Sequence, residues 1–595
     1  MADQRPRFLG VERSARGTAW VPRLTALQEN AALAMAQSQG IDDVLARVLA
    51  ARDVPVDRAT EFLNPTIKSL LPDPRSLTDM DKAAGRIAEA IRRKESIAVF
   101  GDYDVDGACS SALLARYLRH FGIDAEIYIP DRVFEGYGPN PDAMRALAGR
   151  GATLIVTVDC GTNSAEAIAA ANDAGCDVVV LDHHQVGGPL PGAVAVVNAN
   201  RDDDLSGQGH LCAAGIVFLT LVEVQRLLRE TGVQSLPDLL GMVDLVGLAT
   251  VCDVVPLQGV NRAFVRKGLQ MARMMTNPGL AALSRVARIG EPIGSFHFGF
   301  VLGPRINAGG RIGNAAMGAT LLSSDDGGET ERLAAELDRL NGERQQMEKT
   351  MLEQAEAEAL AEYGHGNPPA VVVTEGEGWH PGIVGLIAAR LKEKLRRPAF
   401  AIAFDRTGKG TGSGRSISGF DLGHLVRDAL AAGLLEKGGG HAMAAGITVE
   451  RSRLGALRAF FEERASAKVA RLVESEVLKI DAAVTAEGAS LALVERLEEA
   501  GPYGSGYPQP VIALPRHRLV DVLPVGSGHL RLSLQSPSGG RVTAMAFRAG
   551  DTELGAFLGA KRGELVHVAG TLGANHWNGR VSVQLRVIDA APTGT

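Results

Sequence analysis

Residues 99–112 read VFGDYDVDGACSSA. The apolar run SIAVF (96–100) ends in Gly101, and Asp102, Asp104 and Asp106 follow at every second position before Gly107 and small residues suited to opening a helix. On a continuing strand the three carboxylates would share one face. Like charges so close raise one another's pKa and cost stability, so the crowding predicts something positive among them. Working outward, AEIYI (125–129), TLIVTV (153–158), DVVVL (177–181) and AVAVV (193–197) are short, β-rich apolar runs. Alanine-rich helical stretches at 107–121, 139–149 and 164–174 separate most of them. Strands that are apolar throughout and alternate with helices predict a parallel sheet covered on both faces, with a helical part over roughly 210–300.

The other strand ends carry the same kind of residue. TLIVTVDCG places Asp159 past one strand, VVVLDHHQ places Asp182, His183 and His184 past another, and ATVCDVVPL adds Asp253 after a helical run. Ligands of open parallel sheets bind outside the carboxyl ends of the strands, so Asp102, Asp104, Asp106, Asp159, His183 and Asp253 are candidates for one crevice. Carboxylates with imidazole favour Mn²⁺ or Mg²⁺ over structural zinc. Five acids exceed the needs of one ion. Two ions about 4 Å apart would use them, and would form the clamp for in-line displacement at phosphorus. A single aspartate after a strand is commonly only a helix cap, and Asp182 could be only a turn residue. Three such loops together with a D-x-D-x-D cluster are more than caps require.

The chain has 595 residues, 46% hydrophobic and 22% charged, which predicts a soluble globular protein of three or four domains. No apolar run reaches the roughly 18 residues of a membrane span, and the first residues lack a signal core. The five cysteines include no C-x-x-C pair, so reduced thiols in a cytoplasm are expected. The net charge is −7, but residues 325–365 hold twelve acidic and four basic side chains. The excess therefore lies on one segment. Residues 329–363 read as a long helix with an apolar stripe of Leu333, Leu337, Leu340, Met347 and Met351, a connector that would hold two domains apart. The expected organisation is an N-terminal extension (1–80) wrapped on the main domain, a parallel-sheet domain (81–325), the connector (326–365), a second, smaller α/β domain (366–465) and a hinge with a β-barrel (466–595). The hinge is GPYGSGYPQP (501–510). Five short strands after it suit an OB-type barrel. Residues 511–595 carry nine Lys/Arg against five Asp/Glu, with His517, His529, His567, His576 and Trp577. A basic barrel with aromatic side chains suits single-stranded nucleic acid; the alternative is a barrel that only packs.

GDYDVDG, TVDCG, LDHH and CDVVPL resemble the successive motifs of the DHH phosphoesterase superfamily. GPRINAGGRIG (303–313), GWHPGIVG (378–385), GSGRSISGFDL (412–422), GGGHAMAAG (438–446), the hinge and the barrel with its HWNGR are similar to the RecJ family of bacterial single-strand-specific exonucleases. The resemblance covers nearly everything from about residue 80 onward. It implies a DHH catalytic domain, a DHH-associated domain that binds substrate, and degradation of single-stranded DNA from its 5′ end to mononucleotides in repair and recombination. A monomer is expected, with a single-strand-binding protein and a helicase as family-type partners. Under that resemblance Asp104, Asp106, Asp159, His183 and Asp253 ligate two metal ions, and His184 sits beside the scissile phosphate. Arg305 and Arg311 supply forked donors for phosphate, with Asn307 between them; a surface ion pair is the alternative for each arginine. Ser413, Arg415 and Ser416 approach the substrate backbone. Gly438, Gly439 and Gly440 form a flexible stretch before His441 whose amides could face phosphate oxygens. His380 opens a helix and points into the crevice, or only caps. Several superfamily members carry a histidine where this chain has Phe100, and Asp102 is the substitute. The competing functions are another DHH enzyme, a short-oligonucleotide nuclease or pyrophosphatase, which would not need the barrel, and a non-catalytic repair scaffold, which would not need intact acidic motifs.

Overall fold

The computed structural model describes residues 5–132, 134–363, 368–577 and 579–594, without the side chains of Glu362 and Trp577, so the expected role of Trp577 lies outside the described residues. Two compact units emerge: residues 72–253 with 267–474, and residues 1–71 with 254–266 and 475–595.

The larger unit contains the sheet predicted by the opening stretch. Its five strands run in the order Glu126–Tyr128, Ile97–Gly101, Leu154–Val158, Asp177–Leu181 and Ala195–Val197. All neighbours are parallel, and Phe100, Thr157, Val180 and Val196 stand in one row. Both faces are covered, so Ile97–Gly101 is buried along its whole length. Asp104 caps the helix Val105–His120, its Oδ1 accepting from the Gly107 amide at 3.0 Å. A Cβ at Gly107 would sit 2.3 Å from the Asp102 carbonyl oxygen, so only glycine lets the helix start so close to the strand end.

The helix Gly327–Tyr363 follows the predicted connector, but two expectations change. Met347 is 40% exposed. The buried seam runs instead through Leu340, Asn341 and Arg344 to Met351, Ala355 and Ala359, because a straight helix drifts away from a seven-residue step. Arg344 pairs there through its two Nη groups with Asn341 and Glu348. Nor does the helix hold the two domains apart. Met351, Ala355 and Ala359 share a core with Val372, Trp379 and Ile387 of the following domain, and Arg311 donates to the Gly382 carbonyl at 2.9 Å.

That second domain is a five-stranded sheet in the order Lys437–Gly440, Ala444–Glu450, Lys409–Arg415, Ala399–Phe404 and Val372–Glu377, with only the last pair parallel. The glycines 438–440, expected to be a flexible stretch, form its edge strand. The helix Leu422–Ala431 packs close against it: a Cβ at Gly438 would come within 2.8 Å of the Val426 side chain, and one at Gly423 within 2.5 Å of the Gly440 carbonyl oxygen.

The smaller unit holds a closed barrel of Ile512–Val525, His529–Gln535, Arg541–Ala546, Arg580–Pro592 and Leu565–Trp577, the first strand also pairing with the last. The third strand and Arg580–Pro592 are parallel, and the helix Glu553–Ala560 follows the third, an OB-type arrangement. Of the N-terminal extension, residues 1–71 belong to this unit and residues 72–80 to the larger one. Its strand Ala19–Pro22 runs parallel to Val477–Ile480, and the buried Trp20 donates its indole N–H to Asp589 at 3.0 Å. Buried Asp481 accepts from Arg23 at 3.0 Å and Arg52 at 2.8 Å. Two of the histidines counted toward a nucleic-acid surface are internal. His517 accepts the Ala486 amide at 3.0 Å and His567 the Arg516 amide at 3.2 Å, both buried.

Candidate metal centre

Three parallel strands end beside one another, and the chain turns sharply at each end. Asp159 follows Leu154–Val158 in the left-handed region, φ +62°. Aspartate tolerates that region better than most residues, and the turn swings the carboxylate across the end of the sheet. His183 follows the neighbouring strand, and its Nε2 lies 3.2 Å from Asp159 Oδ1, 3.6 Å from Asp253 Oδ2 and 3.7 Å from Asp106 Oδ2. Three groups have ligand atoms all within 4.8 Å of one another: Asp106, His183 and Asp253; Asp102, Asp104 and Asp159; and Asp159, His183 and His184. Every candidate ligand read from the sequence is present. Asp159 stands in the second and third groups and His183 in the first and third, so the three form one continuous centre.

The electrostatics are those of a cation site. Burial, then the charges of Asp106, Asp104, Asp102 and Asp253, drive Asp159 well above the usual carboxylate range. Burial, then Asp104, does the same to Asp102. Asp253 is pushed up to about 9 by burial and then by Asp106, Asp104 and Asp102. Asp106 is raised mainly by burial, although its oxygens accept the Ala213 and Ala214 amides at 2.6 and 2.8 Å at the start of the helix Ala213–Glu230. Asp102 Oδ1, Asp159 Oδ1 and Asp253 Oδ2 are buried and receive no hydrogen bond from the described residues. Unsatisfied carboxylate oxygens converging in this way fit divalent metal, whose charge would replace the missing partners.

His184 is held differently from His183. Its Nδ1 is 2.8 Å from Asp182 Oδ1, and the Tyr137 hydroxyl lies 3.1 Å from each ring nitrogen. Burial works against the charged imidazole, but Asp182 outweighs it and the pKa is raised. Asp182 also accepts the His183 and His184 amides, at 2.7 and 3.2 Å, and the Thr162 amide at 3.0 Å. It anchors the two-histidine loop. Asn198 assists, donating to the His184 carbonyl at 2.8 Å, and Asn200 donates to that of His183. Sequence reading missed Tyr137, Asn198 and Asn200; the only signal was polar residues in GYGPN and VVNANRD beside strand ends.

A group of cations adjoins the acids. Arg311, pressed to about 10 by burial and then by Arg132, Arg344 and Arg415, is also pulled by the charge of Asp104. Arg415 and His380 are lowered by burial and then by Arg132. Contacts tie these cations to the segment that carries the acids: a Cβ at Gly310, beside Arg311, would lie 2.5 Å from the Tyr103 carbonyl oxygen, and one at Gly382, to which Arg311 donates, 3.1 Å from His380 Nδ1. Sequence reading overlooked Arg132, whose guanidinium lies 5.1 Å from the centroid of the Tyr103 ring. Gly385 makes room for this group, because a Cβ there would sit 3.0 Å from Arg415 Nη2 and 3.1 Å from Ser413 Oγ. His380 Nδ1 also accepts the Gly382 amide at 3.1 Å, so it caps the turn before the helix Val384–Leu395.

The remaining expected substrate contacts have the following surroundings. Arg305 pairs with Asp338 at 2.8 Å and donates to the Val301 carbonyl at 2.7 Å, the ion-pair alternative. Buried Ser416 donates to the Phe420 carbonyl at 2.7 Å and shapes a turn. Asn307 is half-buried on the helix Gly303–Ile312. Gly439 and Gly440 lie in the edge strand, and exposed His441 follows it. Phe100 is fully buried, stacked on Tyr128 at 5.3 Å in an apolar cluster, so its ring belongs to the core while Asp102, two residues on, joins the acids.

Comparison with known proteins agrees with this geometry. Family models match residues 96–245 (DHH family, N-terminal domain), 367–467 (DHHA1 domain) and 480–589 (RecJ OB domain). The single-stranded-DNA-specific exonuclease RecJ of Salmonella typhimurium is 35% identical over 567 residues, 92% of this chain and 96% of its own length. That of Escherichia coli is 35% identical over 92% of this chain and 95% of its own. The crystal structure of RecJ in complex with Mn²⁺ from Thermus thermophilus superposes with a TM-score of 0.77 at 29% identity, covering 96% of this chain and 78% of that one. The Mg²⁺ complex from the same organism gives 0.72 at 28% identity, covering 97% and 78%.

Proposed function

Because the chain belongs to the RecJ family of single-stranded-DNA-specific exonucleases, we propose that it hydrolyses single-stranded DNA from the 5′ end to 5′-mononucleotides, using two Mn²⁺ or Mg²⁺ ions. The observation that carries this is the shared centre: Asp159 links Asp102 and Asp104 to His183, which faces Asp106 and Asp253. Asp102 enters the ligand set in place of the histidine absent at Phe100. When bound, such ions supply a nucleophilic water at neutral pH and neutralise charge on the phosphate.

The chain's own side chains do the rest. Arg132, Arg311 and Arg415 present a fixed cationic pocket to the terminal 5′ phosphate, which sets the strand's register against the acids and leaves the next phosphodiester beside His184. Arginine suits this task because its fork is planar and always charged. Asp182 holds His184 in one orientation and favours its protonated form, so the ring can donate to the phosphate or to the leaving oxygen. The Tyr137 hydroxyl, 3.1 Å from both ring nitrogens, gives that ring a second contact.

The barrel extends the grip on the strand. In the turn after its third strand Phe547 is 46% exposed, with the Arg586 guanidinium 5.2 Å from its ring centroid and the His529 ring 5.4 Å away. A cation beside a presented aromatic ring suits an unpaired base and its phosphate. Work in repair and recombination as a cytoplasmic monomer, with a single-strand-binding protein and a helicase preparing the strand, completes the reading. Among the described residues no helix is long and apolar enough to cross a membrane. Digestion of 5′- and 3′-labelled single strands with Mn²⁺, Mg²⁺ or chelator tests it. Mononucleotides should appear from the 5′ end only, with metal only; release from the 3′ end, or without metal, overturns it.

A further inference from the structure

The stretch GPYGSGYPQP, read from the sequence as a hinge, is a packed turn. Tyr503 and Tyr507 stack with ring centroids 5.5 Å apart at 8°, Tyr507 is buried, and Gly504 and Tyr507 exchange backbone hydrogen bonds at 2.9 and 3.1 Å. Against it lies Arg262, on the helix Val260–Arg273 and only 2% exposed. Its Nη2 donates to the carbonyls of Ala500 and Gly501, both at 2.9 Å, and of Phe62 at 3.4 Å; its Nη1 donates to that of Pro502 at 3.5 Å. The centroids of the Phe62 and Tyr507 rings lie 3.8 and 4.6 Å from its guanidinium carbon. Among the described residues no carboxylate pairs with this charge. A buried guanidinium without an anion is costly, and an apolar side chain would fill the space at less cost. What arginine adds is a planar fork, which here ties three consecutive carbonyls of the turn to one helix.

The same turn grips the segment that follows a candidate metal ligand. Asp253 closes the helix Val243–Cys252, its amide donating to the Ala249 carbonyl at 2.9 Å. Residues 254–266 count with the smaller unit, although Asp253 counts with the larger. In that segment the Leu257 amide donates to the Ser505 carbonyl at 2.9 Å, and the Asn261 side-chain amide donates to the Pro256 carbonyl at 3.0 Å. A Cβ at Gly504 would lie 2.8 Å from Leu257 Cδ1, and one at Gly506 3.4 Å from the Pro256 side chain. Between ligand and grip stands Val254, left-handed at φ +60° and 65% exposed. A β-branched residue there is an outlier, and such backbone persists only where its surroundings over-determine it. The Val254 side chain lies in solvent, so the constraint comes from its two ends: the helix cap at Asp253 and the turn at Leu257.

We propose that Arg262 and the turn 500–507 form a clamp that positions Asp253 for metal binding. The clamp holds Leu257 and, through it, the strained Val254, which fixes where the Asp253 carboxylate stands against His183 and Asp106. Arg262 is thus a positioning residue, and the smaller unit contributes to the affinity for one ion without supplying a ligand. This rests on the two-metal reading given above.

Calorimetric titration of Mn²⁺ into the metal-free full chain tests the clamp, alongside melting temperature in chelator and nucleotide release against Mn²⁺ concentration. In Arg262→Met the ion at Asp106, His183 and Asp253 should bind roughly ten-fold more weakly, the low end of the 10–100-fold that losing a supporting partner costs, while the other ion binds as before. Nucleotide release should then need more Mn²⁺ and recover its full kcat at saturation. Gly504→Ala, whose Cβ would press on Leu257 from an ordinary φ, should shift the same ion in the same direction, and it carries the test if Arg262→Met does not fold. Val254→Asn, which tolerates the left-handed region, should restore most of the affinity in either background. Trp20→Phe, which loosens the same unit by removing the indole bond to Asp589, should lower the melting temperature and leave both affinities unchanged. Unchanged Mn²⁺ affinity in the clamp variants, an equal loss at both ions, or an equal shift in Trp20→Phe would overturn the clamp while leaving the metal centre standing. An unaltered protein that binds no Mn²⁺ would instead overturn the reading on which the clamp rests.

Discussion

Asp159→Asn separates the metal-holding role of this residue from its structural one. Asparagine adopts left-handed backbone nearly as readily as aspartate, so the turn at φ +62° survives, whereas alanine would add about 1–2 kcal/mol of strain. The exchange removes one negative charge from a buried set in which Asp159 is pressed well above its ordinary pKa. The metal-free variant should therefore be at least as stable as the parent. Its loss appears with metal. Losing a supporting partner of one bound ion typically costs 10–100-fold; Asp159 stands in two of the three ligand groups, so both ions suffer and the factors multiply to roughly 10³-fold in kcat, about 4 kcal/mol. In the parent, Mn²⁺ at about a hundred times its Kd adds about 2.7 kcal/mol per site, and the variant should lose most of that. Three measurements decide the matter: nucleotide release from a 5′-phosphorylated strand, melting temperature with Mn²⁺ and with chelator, and strand binding in chelator, which should be unchanged. If the variant keeps more than about a tenth of the activity, a barrier change below ~1.4 kcal/mol, Asp159 does not join the two halves of the centre.

The metal-free protein should lose stability as pH rises between about 4 and 9. Asp253 is raised to about 9, so the folded state keeps a proton the unfolded chain has released, with a slope of up to about 1.4 kcal/mol per pH unit. Melting in chelator at pH 5.5 and 8 checks this, and Mn²⁺ should reverse the trend because its ligands bind deprotonated. Asp102→Ala should lower the bound Mn²⁺ count from two to about one in calorimetric titration; two ions still bound would make Asp102 a support rather than a ligand. Arg311→Met should erase the preference for a 5′ phosphate over a 5′ hydroxyl, raising KM about 10–100-fold for the loss of a charge-assisted contact; a retained preference would assign that task to Arg132 and Arg415 alone. On the barrel, Arg586→Ala should weaken strand binding and reduce its salt slope by about one, while Phe547→Ala weakens it at unchanged slope. Equal slopes would leave Arg586 without a phosphate. These surface changes are preferable to removing residues 511–595, since Trp20 is buried in a cluster with Val511, Ala513, Ala569 and Ala591 and deletion would uncover the N-terminal extension.

The parallel sheet and the acidic centre were legible because their causes are local. An apolar run of five residues followed by small or charged ones fixes a strand end, and Asp102, Asp104, Asp106, Asp159 and His183 all sit at such ends. What escaped notice depends on partners distant in sequence. Arg132 is an ordinary loop arginine until the fold sets Arg311 and Arg415 beside it. Arg305 and Arg311 occupy one motif and look alike, yet Arg305 turns to Asp338 on the long helix and only Arg311 enters the cation group. The triple glycine suggested mobility, but it forms an edge strand, and Gly438 lies close against the helix that begins at Leu422. Three of the misread groups, Met347, the glycines and the buried barrel histidines, were judged by residue type. Their environment was set by the tertiary contact that each type permits.

The division of labour between Phe100 and Asp102 follows from the same logic. A histidine at position 100 would have to replace a ring that stacks on Tyr128 and shares a buried apolar cluster with Met144, Ile155 and Val180. Burying an imidazole there without a partner costs several kcal/mol, so Phe100→His alone is not a route to a better metal site. Asp102 reaches the centre because it lies beyond Gly101, where the strand has ended. There Gly107 lets the next helix begin against the Asp102 backbone. The two glycines are thus what allow a carboxylate, rather than an imidazole two residues earlier, to complete the acidic end of the site.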